Sequence, residues 1–531
     1  MRVFLAGYNI DEAAIRLAQK VGDFIGDEEE LTRLQEQLRS EPWTPETISA
    51  AFARVSRSDK PIRELRAEAR DSIARTRRSN ERIVFEFGHS SVAEHAVFNL
   101  EISEISRLAL EYLEHHRLAS YTEASQRFIW FDEEFVVPKE LKRIGLEENY
   151  ITLCRSLFQG YRELATLLDK HFASLAEQEA QGKAKEDARY LLPLSCKSRV
   201  GMTLNARVAE RVVRSLTENP LTEVQELGVK IGSVLKDVAP SLIRYTQPEN
   251  INNSAQVFPL DKDREWKMRQ SEGSTTESGG DDDSLKLINN CGEVRIVSFP
   301  SEGDILALSA FMFKELGISF SEAYRWIKNL DDKRRQQIVA YAHANFTPHH
   351  PGLREWELGQ FVFEVVLSAS AYAQLKRHRM TTQIVQPYDT AFGVTIPPSV
   401  LEIGWENRFR ELVAQSNDLY ERIISTLKKG ESLSGSLCSD KKAVLAAQYC
   451  LTNAHRRRII FASNARELIH LSRLREDHHA QWDLRMIVQD IIRLARDKSP
   501  LLMSIAGGKD AFKEIKERLD NWGFYVPGRE A

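Results

Sequence analysis

The chain repeats itself, and this limits its fold more than any other feature. HHRLAS (115–120) lines up with RHRMTT (377–382), so that Arg377 follows His115 by 262 residues. LNARVAERVVRSL (204–216) meets SNARELIHLSRLR (463–475), and ARYLLP (188–193) meets AQYCLT (447–452), both 259 residues on. The openings MRVFLAGY and EVRIVSFP also correspond. Several matches in one order at nearly one spacing mark a duplication, so a single module has to occur twice. Near the midpoint, RQSEGSTTESGGDDDS (269–284) lacks any aliphatic residue. Such a segment cannot bury enough apolar surface to offset its ordering entropy, and it reads as a linker. The expected division is a first module over 1–260, a linker over 261–288 and a second module over 289–531. The first half is longer before its histidine cluster, and the surplus is assigned to a charged helix–turn–helix pattern at 26–60.

Both halves read as mostly helical with a small sheet in each, an α+β module present twice. LEENYITLCRSLFQGYRELATLLDKHFASLAEQ and NRFRELVAQSNDLYERIISTLKKG carry the 3.6-residue period of amphipathic helices. RVFLAGY, VRIVSF, AVFNLEIS and FVFEVVLS read as strands. With 531 residues, 42% of them hydrophobic, the chain can fill a full core. No apolar run approaches the roughly 20 residues that span a bilayer. The first residues read as a strand entering a helix and not as a signal peptide, so a cytoplasmic location is expected. A net charge of -4 argues against a general nucleic-acid binder, and the KRHR run at 376–379 is too short to change that. Five cysteines without a CxxC pair argue against a disulfide framework and against a cysteine-rich zinc site. The neighbouring histidine pairs at 115/116, 349/350 and 478/479 would point about 100° apart on a helix, so no metal site is expected.

Chemistry concentrates in three places in the first half. GHSSVAEHAVFNLEI holds His89, Glu94 and His95; EHHRLASYTEASQRF holds His115, Arg117, Ser120, Glu123, Ser125 and Arg127; ARYLLP and LNAR add Arg189, Asn205 and Arg207. Alternating Arg, Ser and Glu after a helix suits an anion. Hydroxyls and backbone donors bind phosphate oxygens, a guanidinium fork grips them, and a carboxylate accepts from a sugar hydroxyl or a base N–H. A solvated helix end with local ion pairs is the plainer reading of the same residues.

HHRLASYTEASQRF resembles the RHRxxSxNExSxR signature of the flavin-dependent thymidylate synthases. GHSSVAEH resembles the segment that precedes that signature, and ARYLLPL, LNAR and NARELIHLSRLREDHHAQWDLR resemble the family's C-terminal helices. The resemblance covers roughly 80–245 and 335–505 and implies two tandem modules of that fold. It implies an enzyme binding FAD that methylates dUMP, with methylenetetrahydrofolate and NADPH as co-substrates and without an enzyme nucleophile. It also implies self-association, a homodimer of duplicated chains standing in for the family's homotetramer.

The halves depart from the signature in complementary ways. In the first, His115 and Thr122 replace an Arg and the Asn, but Glu123, Ser125, Arg127 and Arg189 remain, and Leu216 stands where a late Arg belongs. The second keeps Arg377, His378, Arg379, Asn464, His470 and Arg475. There Val385, Pro387 and Asp389 replace the Glu, Ser and Arg, and Gln448 replaces Arg189. An aspartate in the place of a phosphate-binding arginine would repel the ligand. The resemblance therefore implies one composite site. Glu123, Ser125, Arg127, Arg189 and Arg475 would bind the nucleotide, with Arg127 and Arg475 polarising it. His89, Arg117, Arg377, His378, Arg379, Asn464 and His470 would contact flavin. The alternative is a non-catalytic or altered-substrate paralogue that binds flavin or nucleotide.

Overall fold

Strand β1 (Arg2–Tyr8) pairs antiparallel with β2 (Val97–Ser106), which pairs with β4 (Lys197–Asn205), which pairs with β3 (Ser120–Glu123). The second half repeats this. Strand β5 (Glu293–Ser298) lies on β6 (Gln360–Ser368), β6 on β8 (Arg456–Asn464) and β8 on β7 (Thr382–Val385). Orders β1-β2-β4-β3 and β5-β6-β8-β7 make one topology used twice, within a chain that is otherwise mostly helical. These features come from a computed structural model that describes residues 1–40, 43–244, 293–348, 352–431 and 439–524. The linker expected at 261–288 lies outside the described residues.

The four strands legible in the sequence are β1, β2, β5 and β6. The other four were not read as strands. For β8, RRRIIFASN, the reason is visible: its first two arginines are buried at 8% and 6% exposure. Charged side chains that find buried partners erase the apolar alternation by which a strand is read.

Each sheet feeds a short helix through a serine cap. Ser106 Oγ accepts from Ala109 N at the start of α1 (Arg107–Glu114), and Ser368 Oγ accepts from Ala371 N at the start of α4 (Ala369–Leu375). Between these come α2 (Glu147–His171) and α3 (Thr222–Val238); after them come α5 (Glu406–Glu431) and α6 (Ala465–Arg475). Asn464 caps α6 through Glu467 N at 2.9 Å, as Asn205 caps its counterpart through Val208 N. A short polar side chain at this position satisfies donors the helix leaves open.

The two halves share a core. One cluster runs from the inner face of the first sheet across α2 and α5, through Leu157, Tyr161, Leu412 and Ile423, while a second surrounds the other sheet. Helices α2 and α5 meet where Gly160 has no side chain: Leu412 Cδ1 lies 2.4 Å from the place its Cβ would take. Equivalent residues meet along a local twofold. Pro193 bridges its own counterpart Thr452, flanked by bonds from Leu194 N to Leu451 O at 2.7 Å and Asn453 N to Leu192 O at 3.0 Å.

The pattern at 26–60 forms helices Glu28–Ser40 and Glu46–Arg54. Glu46, fully buried, accepts from Ser241 N and Oγ at 2.8 and 2.6 Å, and Thr44 Oγ1 donates to Val238 O. The insertion thus clamps the C-terminal end of α3. Among the described residues no helix is long and apolar enough to cross a membrane.

Candidate active site

Strand β3 continues its ladder one step past Glu123, through Ala124 N to Arg199 O at 2.9 Å, and then turns inward. That turn carries Ser125, Gln126 and Arg127 into a cavity of about 110 Å³. Arg107 and Arg189 of the first half line it too, and so do Gln374, Arg377 and Arg475 of the second. All five residues read from the sequence as a nucleotide clasp, Glu123, Ser125, Arg127, Arg189 and Arg475, therefore meet in one pocket. Neither half supplies it alone.

The pocket is strongly positive. Glu123, its only acidic lining residue, is held by the Arg107 guanidinium, with Arg377 Nη2 and Lys376 Nζ at 3.7 and 3.9 Å. Burial alone would raise the Glu123 pKa, but these three cations outweigh it and keep the carboxylate ionised. Arg127 bonds Glu186 through Nε and reaches Gln374 Oε1 at 3.4 Å and His479 O at 3.3 Å. Burial, with Arg377 and Arg127 nearby, pulls Arg475 down to about 10, and burial also lowers Arg189.

Four buried donors in this lining have no partner: Arg107 Nη2, Arg189 Nη2, Gln126 Nε2 and Gln374 Nε2. Their side chains are at most 7% exposed. Leaving such groups unpaired costs about 1–3 kcal/mol each, more for charged ones. Unpaired donors lining one cavity are chemistry that suits an anion.

The residues read as flavin contacts scatter. Arg475 Nε donates to His378 Nε2 at 3.0 Å, so the His378 proton sits on Nδ1, facing Glu467 at 3.6 Å. Burial lowers the His378 pKa despite Glu467, and the neutral ring works as a brace behind Arg475. Arg117 and Arg379 are counterparts that meet on the local twofold. Arg117 Nη2 donates to Thr382 Oγ1 at 3.2 Å, and Arg379 Nη1 donates to the carbonyls of Arg117 and Ala119. The Asn464 oxygen is taken by its helix cap. Arg377, half exposed, stands at the pocket rim, and the exposed His470 ring lies 5.9 Å from His378. His89 lines a separate groove beside the insertion, with Arg54, Arg57 and Lys60.

One geometric argument from the sequence needs correction. His478 and His479 lie in a turn, not on a helix, and their ring centroids are 3.8 Å apart. With Asp477 they bring three potential ligand atoms within 4.8 Å of one another, as do His378, Glu467 and His470. Neighbouring histidines are held apart in a helix or a strand, but a turn can bring their rings together.

The second copy of the clasp is filled. Tyr388, fully buried, occupies the counterpart of Gln126: its N donates to Gln448 Oε1 at 2.8 Å and its OH to Glu111 Oε1 at 2.9 Å. Arg457 lies 4.0 Å over the Tyr388 ring and pairs with Glu111 at 2.7 Å. Asp389 caps the next turn through Ala391 N. Substitutions that remove ligand contacts here build a plug.

The comparisons with known proteins match this duplicated plan. The family described as thymidylate synthase complementing protein matches residues 37–241 and 312–501, well over half of the chain in two segments. The chain belongs to that family. The UPF0159 protein of Chlamydia muridarum is 24% identical over 431 residues, covering 78% of this chain and 77% of that protein. A UPF0159 protein of Thermoplasma acidophilum is 23% identical over 513 residues, 86% of this chain and 93% of that one. The flavin-dependent thymidylate synthase of Clostridium tetani is 28% identical over 215 residues, 40% of this chain and 85% of that enzyme. A solved flavin-dependent thymidylate synthase from Helicobacter pylori, complexed with FAD and dUMP, aligns at a TM-score of 0.30 and 20% identity. That alignment covers 46% of this chain and 98% of the other.

Arg107, Gln126 and Gln374 escaped the sequence reading. A signal for Arg107 exists: Arg107, Glu111 and Glu114 fall at i, i+4 and i+7 of an otherwise apolar helix, one charged stripe facing inward.

A pH effect arises beside Arg475. Burial raises Glu476 to about 7, well above an unfolded carboxyl. The folded state then keeps a proton that the unfolded chain releases, so stability present below about pH 4.5 is lost as pH rises through about 7. Glu476→Gln should flatten this decline, raising the melting temperature at pH 8 while leaving it unchanged at pH 4. Parallel melting curves at the two pH values check it.

Proposed function

We propose that this chain is a flavin-dependent enzyme that reductively methylates a pyrimidine nucleoside monophosphate of the dUMP class. Methylenetetrahydrofolate would supply the carbon and NADPH the reducing equivalents. One observation carries this reading: the clasp residues of the first half and Arg475 of the second share a pocket lined by unpartnered donors. Family membership supports the chemistry, and the plugged counterpart supports one nucleotide site per chain. Two chains associated as a homodimer would form a pseudo-tetramer with two such sites.

In this reading Arg127, Arg189 and Arg475 hold the phosphate and polarise the pyrimidine, and His378 with Glu467 keeps Arg475 in place. The rim fits a flavin in part. Arg377 and His470 keep free edges there, whereas Arg117 and Arg379 are committed to holding the two halves together. FAD, when bound, would relay reducing equivalents from nicotinamide to the one-carbon unit.

The test is the visible absorption spectrum of the purified protein with added FAD and dUMP. A bound-flavin spectrum that shifts with dUMP is expected, with NADPH oxidation dependent on both dUMP and methylenetetrahydrofolate. A protein that takes up no FAD and no nucleotide would overturn the reading.

A further inference from the structure

Arg107 is the one buried cation of the pocket that neither the sequence pattern nor the family likeness accounts for. Its second-half counterpart is Ala369, so it belongs to this site alone. It is 2% exposed, its Nη1 binds Glu123, and its Nη2 has no partner. Glu123 gives Oε1 to Arg107, while Oε2 has only cations at 3.7 and 3.9 Å and no hydrogen bond. A donor and an acceptor without hydrogen-bond partners thus sit on two bonded residues of the pocket lining.

The chemistry of that pair selects what it can bind. A phosphate on Arg107 would also face the Glu123 carboxylate, whereas Arg189 and Arg475 carry no carboxylate partner. Arg127, though bonded to Glu186 through Nε, turns its other two nitrogens to neutral acceptors that an anion can displace. A neutral group that both donates and accepts suits Arg107 with Glu123, and a pair of vicinal hydroxyls is such a group. Chain order agrees: Glu123, Ser125 and Arg127 follow one another on one segment of the pocket lining, so a sugar at Glu123 and a phosphate at Ser125 and Arg127 would be neighbours.

We infer that Arg107 and Glu123 read the sugar, and that the nucleotide taken by this site is a ribonucleotide, a pyrimidine ribonucleoside monophosphate. The 3′-hydroxyl donates to Glu123 Oε2 and the 2′-oxygen accepts from Arg107 Nη2. This rests on the nucleotide reading given above and changes its sugar from deoxyribose to ribose.

Equilibrium titration of the full chain with UMP, dUMP and the arabinose epimer of UMP tests it. A hydrogen bond to a charged group is worth about tenfold or more in affinity. UMP should therefore bind at least about tenfold tighter than dUMP, and the epimer, whose 2′-hydroxyl is on the other face, should behave like dUMP. In Arg107→Met the UMP-to-dUMP ratio should fall to near one, whatever happens to either affinity. A ratio preserved in the variant, with both affinities reduced together, would make Arg107 a mere support for Glu123 and overturn the inference. Equal binding of UMP and dUMP by the unmutated protein would overturn it even if the variant does not fold. Binding of neither nucleotide would instead remove the nucleotide reading itself.

Discussion

Replacing Lys376 by methionine should lower folding stability by about 3–5 kcal/mol, and adding Glu114→Gln should recover most of the loss. Lys376 Nζ lies 2.6 Å from Glu114 Oε2, and both residues are at most 7% exposed. Removing the ammonium alone strands a buried carboxylate, which is the costly half of breaking such a pair. Neutralising both members removes the stranded charge, and a buried ion pair replaced by neutral groups is often near neutral in stability. The two residues are counterparts, one position before His115 and Arg377 in the repeat. Where two identical modules met, this position would set like against like. Duplication allowed it to become an attraction, and the local twofold now carries complementary charge. The exchanged pair, Glu114→Lys with Lys376→Glu, should remain less stable than the neutral double variant. A glutamate at 376 would stand near Glu123, now 3.9 Å from the Lys376 ammonium. Denaturant midpoints of the single, neutral double and exchanged variants decide this; a single variant as stable as the parent would show that the pair contributes nothing.

The duplication was legible because it rests on local words in the sequence, and with it came the two-module fold and the strands β1, β2, β5 and β6. Strand β8 was illegible because its first arginines are buried: Arg457 pairs with Glu111 of the other half, and Arg456 bonds Thr395. The clasp was readable as Glu123, Ser125, Arg127 and Arg189 because those residues lie close together or in matched segments. Arg475 joined them only through comparison of the halves. Arg107 and Gln374 were missed because each is one residue of a short apolar helix, and its meaning depends on which cavity that helix faces. The flavin set dispersed for a related reason. Once the halves are fused, the arginines of the twofold, Arg117 and Arg379, spend their donors on backbone carbonyls and a threonine hydroxyl across the junction. A signature can be retained while the work of its residues changes.

One nucleotide per chain is the expected stoichiometry, and Arg127→Asp should reduce its affinity by a factor of about a thousand or more. The substitution gives the first half the residue its counterpart already has, Asp389. It removes a charge-assisted hydrogen bond worth about 1.5–3 kcal/mol and places a carboxylate beside a dianionic phosphate, a penalty of similar size. The reverse change, Asp389→Arg, should leave the stoichiometry at one. Its would-be pocket still holds the Tyr388 ring, fixed by Glu111 and Gln448 and covered by Arg457, and Leu216 still stands where Arg475 stands in the working site. A single arginine cannot evict a buried tyrosine that makes two hydrogen bonds and a cation–π contact. Calorimetric titration with UMP and dUMP reads both numbers. Two equivalents bound by the parent chain would mean that the plug opens, and an unchanged affinity in Arg127→Asp would mean that the phosphate is held elsewhere. The asymmetry between these variants follows from the fold: the loss at Arg127 is local, whereas the second site was lost through a network that no one residue restores.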